Sequence, residues 1–108
     1  IAPRVHNSGH WSIEGAVTSQ FENHIRAVVG LPLGDTDNVY PSVMLNILGE
    51  YPDLGELLKI DGAHYHTYHK EERADRKIAH VTLMPNDVAA LDQAIDNLVR
   101  ILPNKMGL

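Results

Sequence analysis

Three short strand-like runs, bounded by turn residues, lie between two amphipathic helical stripes, and that order leaves few folds open. Ser19-Gln-Phe-Glu22 is a capping box: a Ser hydroxyl to accept an N–H of the first turn, and a Glu three positions on. Phe21, Ile25, Val28 and Val29 follow at helical spacing, Gly30 supplies the stop and Pro32 forbids continuation, so a helix is expected over 19–29. Val43-Met-Leu-Asn-Ile-Leu48 reads as a strand buried on both faces and ended by Gly49. Asp53 caps two expected helical turns that reach Lys59. His64 to His69 and Ile78 to Met84 alternate as strands, and the polar stretch between them closes a hairpin. Pro85-Asn86-Asp87 opens a second helix. Its Val88, Leu91, Ile95, Leu98, Val99 and Leu102 form one stripe, and Pro103 ends it. The first seventeen residues are polar and broken by glycine, and read as loop or irregular strand; residues 31–41 read as a linker or turn. Helix, strand, short helix, strand, strand, helix is the order of an α+β fold with a small antiparallel sheet.

Composition narrows the function. One hundred and eight residues make one domain at most. No apolar run approaches the roughly 18 residues of a membrane span. The absence of Cys excludes a disulfide scaffold, a Cys zinc site and thiol catalysis, and fits a reducing compartment. No basic segment followed by an apolar one opens the chain, so no signal peptide is expected. The chain begins with Ile1 rather than Met, which is expected of a chain that has been processed, truncated or cut from something longer. The net charge of −5 lies wholly between Asp35 and Asp61, where six acids face one Lys. Such a field argues against nucleic acid as a partner.

Two short segments concentrate chemistry. Arg4-Val-His6-Asn7-Ser8-Gly9-His10-Trp11 offers a fixed cation, two imidazoles, an amide and a glycine. That set suits an anionic oxygen cluster: Arg for bidentate contact, Asn and backbone as donors, Gly for close approach. The plainer reading is a polar loop packed under Trp11. Lys70-Glu-Glu-Arg73-Ala-Asp-Arg76-Lys77 puts four cations at a hairpin tip and suits a phosphate monoester. The plainer reading there is a surface cluster paired with Glu71, Glu72 and Asp75. A third set is histidine: His64 and His66 share a strand face, and with His69 and His80 they offer the alternative of a non-catalytic metal-binding or interaction module.

IAPRVHNSGHW followed by TSQFENHIRAVVGLPLG, then VMLNILGE and HYHTYHKEERADRKIAHVTL, resembles the carboxyl-terminal part of a known family. This is the ATPase subunit of phosphoribosylaminoimidazole carboxylase, also called N5-carboxyaminoimidazole ribonucleotide synthetase, an ATP-grasp ligase of purine biosynthesis. The resemblance runs from Ile1 to about Leu102. It implies residues 1–30 as the end of an ATP-grasp domain and 31–108 as a small antiparallel, barrel-sandwich-like β domain with a terminal helix. It implies a reaction in which ATP phosphorylates bicarbonate to carboxyphosphate, which carboxylates the exocyclic amine of aminoimidazole ribonucleotide. Magnesium and ATP are the implied cofactors, held mainly by parts of the parent outside these residues, among them a magnesium-binding carboxylate just before Ile1. The 108 residues alone are therefore expected to be inactive. The implied setting is cytoplasmic, with a homodimeric parent, no membrane and no nucleic acid.

Residue by residue, the resemblance implies that Arg4 holds bicarbonate or carboxyphosphate, and that His6 and Asn7 line the same anion. Lys70 would contact the ribonucleotide phosphate, with Arg76, Arg73 and Lys77 beside it. Where the family has Arg-Pro-Gly-Arg-Lys-x-Gly-His, this chain has Arg73-Ala74-Asp75-Arg76-Lys77-Ile78-Ala79-His80. Asp75 thus replaces a Gly at a position suited to positive φ, and Ala79 replaces another. His69 stands where a small or acidic residue is common.

Overall fold

The computed structural model describes residues 4–102. Contacts divide the chain into two compact units, Ile1–Pro41 and Ser42–Leu108.

In the first unit a 3-10 turn, Asn7–Gly9, precedes the short helix α1, Ser12–Gly15, and helix α2, Gln20–Val28. The segment expected as loop or irregular strand is thus partly helical. Its turns are closed by side chains: the His6 ring accepts the Ser8 N–H, and the Ser12 hydroxyl donates to the Gly9 carbonyl at 2.5 Å. The expected capping box holds, with Ser19 Oγ accepting the Glu22 N–H at 3.1 Å. Helix α2 ends in a Schellman turn: Gly30 takes φ +79° and donates to Ala27, while Leu31 N–H reaches back to the Arg26 carbonyl. The stripe of Phe21, Ile25, Val28 and Val29 is exposed, with Val28 70% accessible. Residues 31–41 return to this unit, so the structural break follows Pro41 rather than Gly30. Val39 N–H donates to Gly15 and Val17 N–H to Asp37, and the Asn23 side chain pairs with both backbone groups of Gly34.

The second unit is a three-stranded antiparallel sheet with helices: β1 Val43–Leu48, α3 Leu54–Leu58, β2 Ala63–Thr67, β3 Lys77–Leu83, a 3-10 turn Val88–Ala90 and α4 Leu91–Ile101. The strand order is β1-β3-β2, so the last strand is inserted between the first two. The expected hairpin forms, with Ala63 opposite Leu83 and Thr67 opposite Ala79. One face of the sheet carries Leu45, Ile47, Ala79, Val81 and Leu83, which join Leu57, Ala94, Leu98 and Leu102 in the core.

In this unit three expectations are corrected. β1 is an edge strand with alternating burial, and the strand buried on both faces is β3, where every residue from Ile78 to Leu83 is buried. A central strand has neighbours on both sides, which its own sequence does not reveal. β2 ends at Thr67 rather than His69, because His69 adopts φ +58° and leaves the extended region. Val88 belongs to the 3-10 turn capped by Asp87 and is 54% accessible, so it lies outside the buried stripe of α4. The helix stop assigned to Pro103 lies outside the described residues.

Candidate functional site

The segment from Arg4 to Trp11 is built around the start of α2. Gln20 Oε1 accepts the His6 N–H at 3.0 Å, and Gln20 Nε2 donates to the His6 carbonyl at 2.8 Å. The same Nε2 lies 2.8 Å from His10 Nδ1. Its backbone N–H donates to Ser12 Oγ at 2.9 Å. The His6 ring is set by its neighbours: Nδ1 accepts the Ser8 N–H at 3.1 Å and faces Ser8 Oγ at 2.9 Å. An Nδ1 that accepts leaves the proton of a neutral imidazole on Nε2. His6 therefore presents an N–H outward, and its ring is exposed. Arg4 is exposed and Asn7 half-buried; neither side chain makes a hydrogen bond or ion pair among the described residues. Arg4, His6 and Asn7 thus lie on one tightly folded segment carrying a cation and two donors, chemistry of the kind an oxyanion requires. The plain alternative, a loop packed under Trp11, misses the organiser. Trp11 and Gln20 line a depression of about 190 Å³ with Gly9, Ala16, Thr18 and Asn23. Gln20 was not singled out by the sequence, in which it reads only as the second residue of a capping box.

The second candidate segment forms most of the loop between β2 and β3 and ends on Lys77, the first residue of β3. Arg76 N–H closes a turn on the Arg73 carbonyl at 3.0 Å, and Gly49 N–H donates to the Arg76 carbonyl at 2.9 Å. Tyr51 adds two ties, its hydroxyl donating to the Lys70 carbonyl and its N–H donating to Glu72 Oε2 at 3.0 Å. Lys70 Nζ sits 5.4 Å from the Tyr68 ring centre and 3.4 Å from the Lys77 carbonyl. Arg76 Nη1 donates to the Glu71 carbonyl at 3.4 Å. Among the described residues, no cation of this loop forms a salt bridge with Glu71, Glu72 or Asp75, so the self-paired cluster is not what the chain builds. The four cations are not equivalent. Arg73 shares a depression of about 480 Å³ with Glu50, Glu72 and Asp75, whereas Lys70, Arg76 and Lys77 are joined through the Lys77 carbonyl and the turn.

Asp75 takes φ +61°, the left-handed conformation that its replacement of a family Gly foreshadows. Asp75→Gly is expected to raise stability by about 0.5 kcal/mol, the relief of the side-chain cost less the added freedom of glycine when unfolded. Urea unfolding of both forms measures it.

The histidine set does not converge. His66 and His80 stack face to face, 4.8 Å between centres and 20° between planes, and the Tyr68 hydroxyl lies 2.8 Å from His80 Nδ1. Stacked rings point their nitrogens past each other, and His69 has left the strand. Among the described residues no group of three or more His, Cys, Asp or Glu could hold a metal ion, which removes the basis for the metal-binding module.

This fold and these two segments match known families. Residues 1–21 match the ATP-grasp domain, and residues 42–94 match the phosphoribosylaminoimidazole carboxylase C-terminal domain. The N5-carboxyaminoimidazole ribonucleotide synthase of Vibrio vulnificus is 49% identical over 97% of this chain and 28% of its own length. The crystal structure of the synthetase from Thermus thermophilus superposes with a TM-score of 0.90 at 53% identity, covering 95% of this chain and 29% of that one. A synthase from Aspergillus clavatus, solved with ADP and 5-aminoimidazole ribonucleotide, gives 0.81 at 35% identity over 94% of this chain and 30% of its own. In sequence and fold the chain matches the carboxyl-terminal portion of the N5-carboxyaminoimidazole ribonucleotide synthetase family, and it spans less than a third of the relatives' length.

Proposed function

We propose that this chain is the carboxyl-terminal, anion-binding part of an ATP-dependent ligase that carboxylates 5-aminoimidazole ribonucleotide with bicarbonate. The products would be N5-carboxyaminoimidazole ribonucleotide, ADP and phosphate, with carboxyphosphate as the intermediate. The observation that carries the reading is the match of nearly the whole chain to synthetases at up to 53% identity, with both candidate segments inside the matched family ranges. On this reading residues up to Pro41 close the ATP-grasp domain and the rest forms the small domain.

Each segment serves one anion. Arg4 neutralises the carbon-bearing anion, while His6 Nε2–H and the Asn7 amide donate to its oxygens. Fixed donors aimed at developing charge need no reorganisation during reaction, which makes them effective. Lys70, with Arg76 and Lys77, holds the ribonucleotide phosphate; Arg73, among three carboxylates, contributes less. Magnesium does not fit the residues described here, which offer no convergent carboxylate set, so on this reading the metal falls to the rest of the parent. A cytoplasmic homodimer is the setting this reading carries. No helix among the described residues is long and apolar enough to cross a membrane.

His6→Ala in the full-length parent tests the anion segment. Loss of one preorganised donor is expected to lower kcat by about 100-fold. An unchanged kcat would remove His6 from the machinery.

A further inference from the structure

Gln20 carries more of the first segment than any residue of that segment does. A primary amide offers one acceptor oxygen and two N–H donors. Here the oxygen takes the His6 N–H, and the nitrogen serves the His6 carbonyl and His10 Nδ1, at 3.0, 2.8 and 2.8 Å. The three partners match the valence of the group, with no orientation of the amide left arbitrary: a flipped amide would set N–H against N–H at His6 and oxygen against carbonyl. The backbone N–H of the same residue holds Ser12 Oγ, which in turn donates to the Gly9 carbonyl. Gly9 is packed so closely on the amide that a Cβ there would collide with Gln20 Oε1. His6, Gly9, His10 and Ser12 are thus all referred to the first residue of α2, whose own position is set by the Ser19 cap.

We propose that Gln20 is a positioning residue: by clasping His6 and His10 it fixes the backbone path that presents Arg4, His6 and Asn7, and it holds His10 as the Nε2–H tautomer. The proposal rests on the reading of Arg4, His6 and Asn7 as contacts of a substrate oxyanion. Gln20 touches no reacting atom on this account; it acts through the loop.

The test joins two measurements on the full-length parent. Nitrogen NMR with selectively labelled histidine reads the tautomers of His6 and His10. The wild type is expected to show both rings as Nε2–H, and an Nδ1–H form at His10 overturns the clasp without any variant. Gln20→Glu keeps an acceptor for the His6 N–H but has no donor for His10, so His10 is expected to move its proton to Nδ1 or to become doubly protonated. The same variant is expected to lose about 30-fold in kcat, with KM for ATP within about twofold of the wild type, as a misplaced catalytic loop would. An unchanged His10 in Gln20→Glu refutes the clasp. A switched His10 with wild-type kcat refutes the positioning role. Failure of the underlying reading shows elsewhere, as His6→Ala at full rate with the tautomers as described.

Discussion

Gly62→Ala unfolds at markedly lower urea, having lost about 3 kcal/mol of stability, among the largest losses expected of any single methyl in this chain. Two costs add. Gly62 has φ +74°, where a side chain costs roughly 1–2 kcal/mol. A Cβ there would also run into the backbone of Met84 and the nitrogen of Pro85. These atoms cannot step aside. Gly62 accepts the Met84 N–H at 2.8 Å, and the next residue, Ala63, is already in register with Leu83. The added methyl therefore forces apart β2 and β3 at the point where their pairing starts. Gly30 supplies the control, since its φ is +79° and nothing lies within 4 Å of a Cβ. Gly30→Ala is expected to cost only the conformational share, about 1 kcal/mol. Equal losses from the two substitutions would show that close approach at Gly62 contributes nothing.

If the proposed function holds, Lys70→Ala is expected to raise KM for aminoimidazole ribonucleotide by about 100-fold in the full-length parent, with a much smaller fall in kcat. A charge-assisted contact to phosphate is worth roughly 1.5–3 kcal/mol, and each 1.4 kcal/mol is about tenfold. The ammonium is placed for this by the Lys77 carbonyl at 3.4 Å and by the Tyr68 ring, and it has no carboxylate partner among the described residues to give up first. Arg73→Ala should matter far less, because Arg73 lines a depression that also carries Glu50, Glu72 and Asp75, whose charges oppose a phosphate there. The unphosphorylated nucleoside separates the role from a general loss of structure: it should bind wild type and Lys70→Ala alike. If Lys70→Ala weakens nucleoside and nucleotide equally, Lys70 is not reading the phosphate.

The parts of the fold written in neighbouring residues were legible in the sequence. The Ser19 cap, the Gly30 stop, the Asp53 cap and the limits of β1 all depend on a few adjacent positions, and the structure reproduces them. What escaped depends on distant ones. The apolar run Val43–Leu48 suggests a doubly buried strand, but burial was decided by strand order, and β3 took the middle. The turns near the amino terminus are held by Gln20, fourteen residues beyond His6, and a glutamine at a helix start carries no mark of that duty. The histidines of β2 and β3 have the spacing of ligands. Only the cross-strand register, which sets His66 opposite His80, turns that spacing into a stacked pair. Of the candidate residues, the sequence placed Lys70, Arg73 and Arg76 in the hairpin loop, whereas Lys77 is the first residue of β3. The sequence could not show that Arg73 lines a depression shared with Glu50, Glu72 and Asp75, because Glu50 arrives from just beyond the end of β1.

On the proposed function these residues serve an ATP-dependent carboxylation of aminoimidazole ribonucleotide. The most direct test is ADP release by the full-length parent with magnesium-ATP and bicarbonate, the ribonucleotide withheld or added. Release that rises steeply with the ribonucleotide, and loses that response in Lys70→Ala at low ribonucleotide concentration, is the predicted result. Release indifferent to the ribonucleotide would contradict the account, and the phosphate-binding role of the β2–β3 loop would fall first.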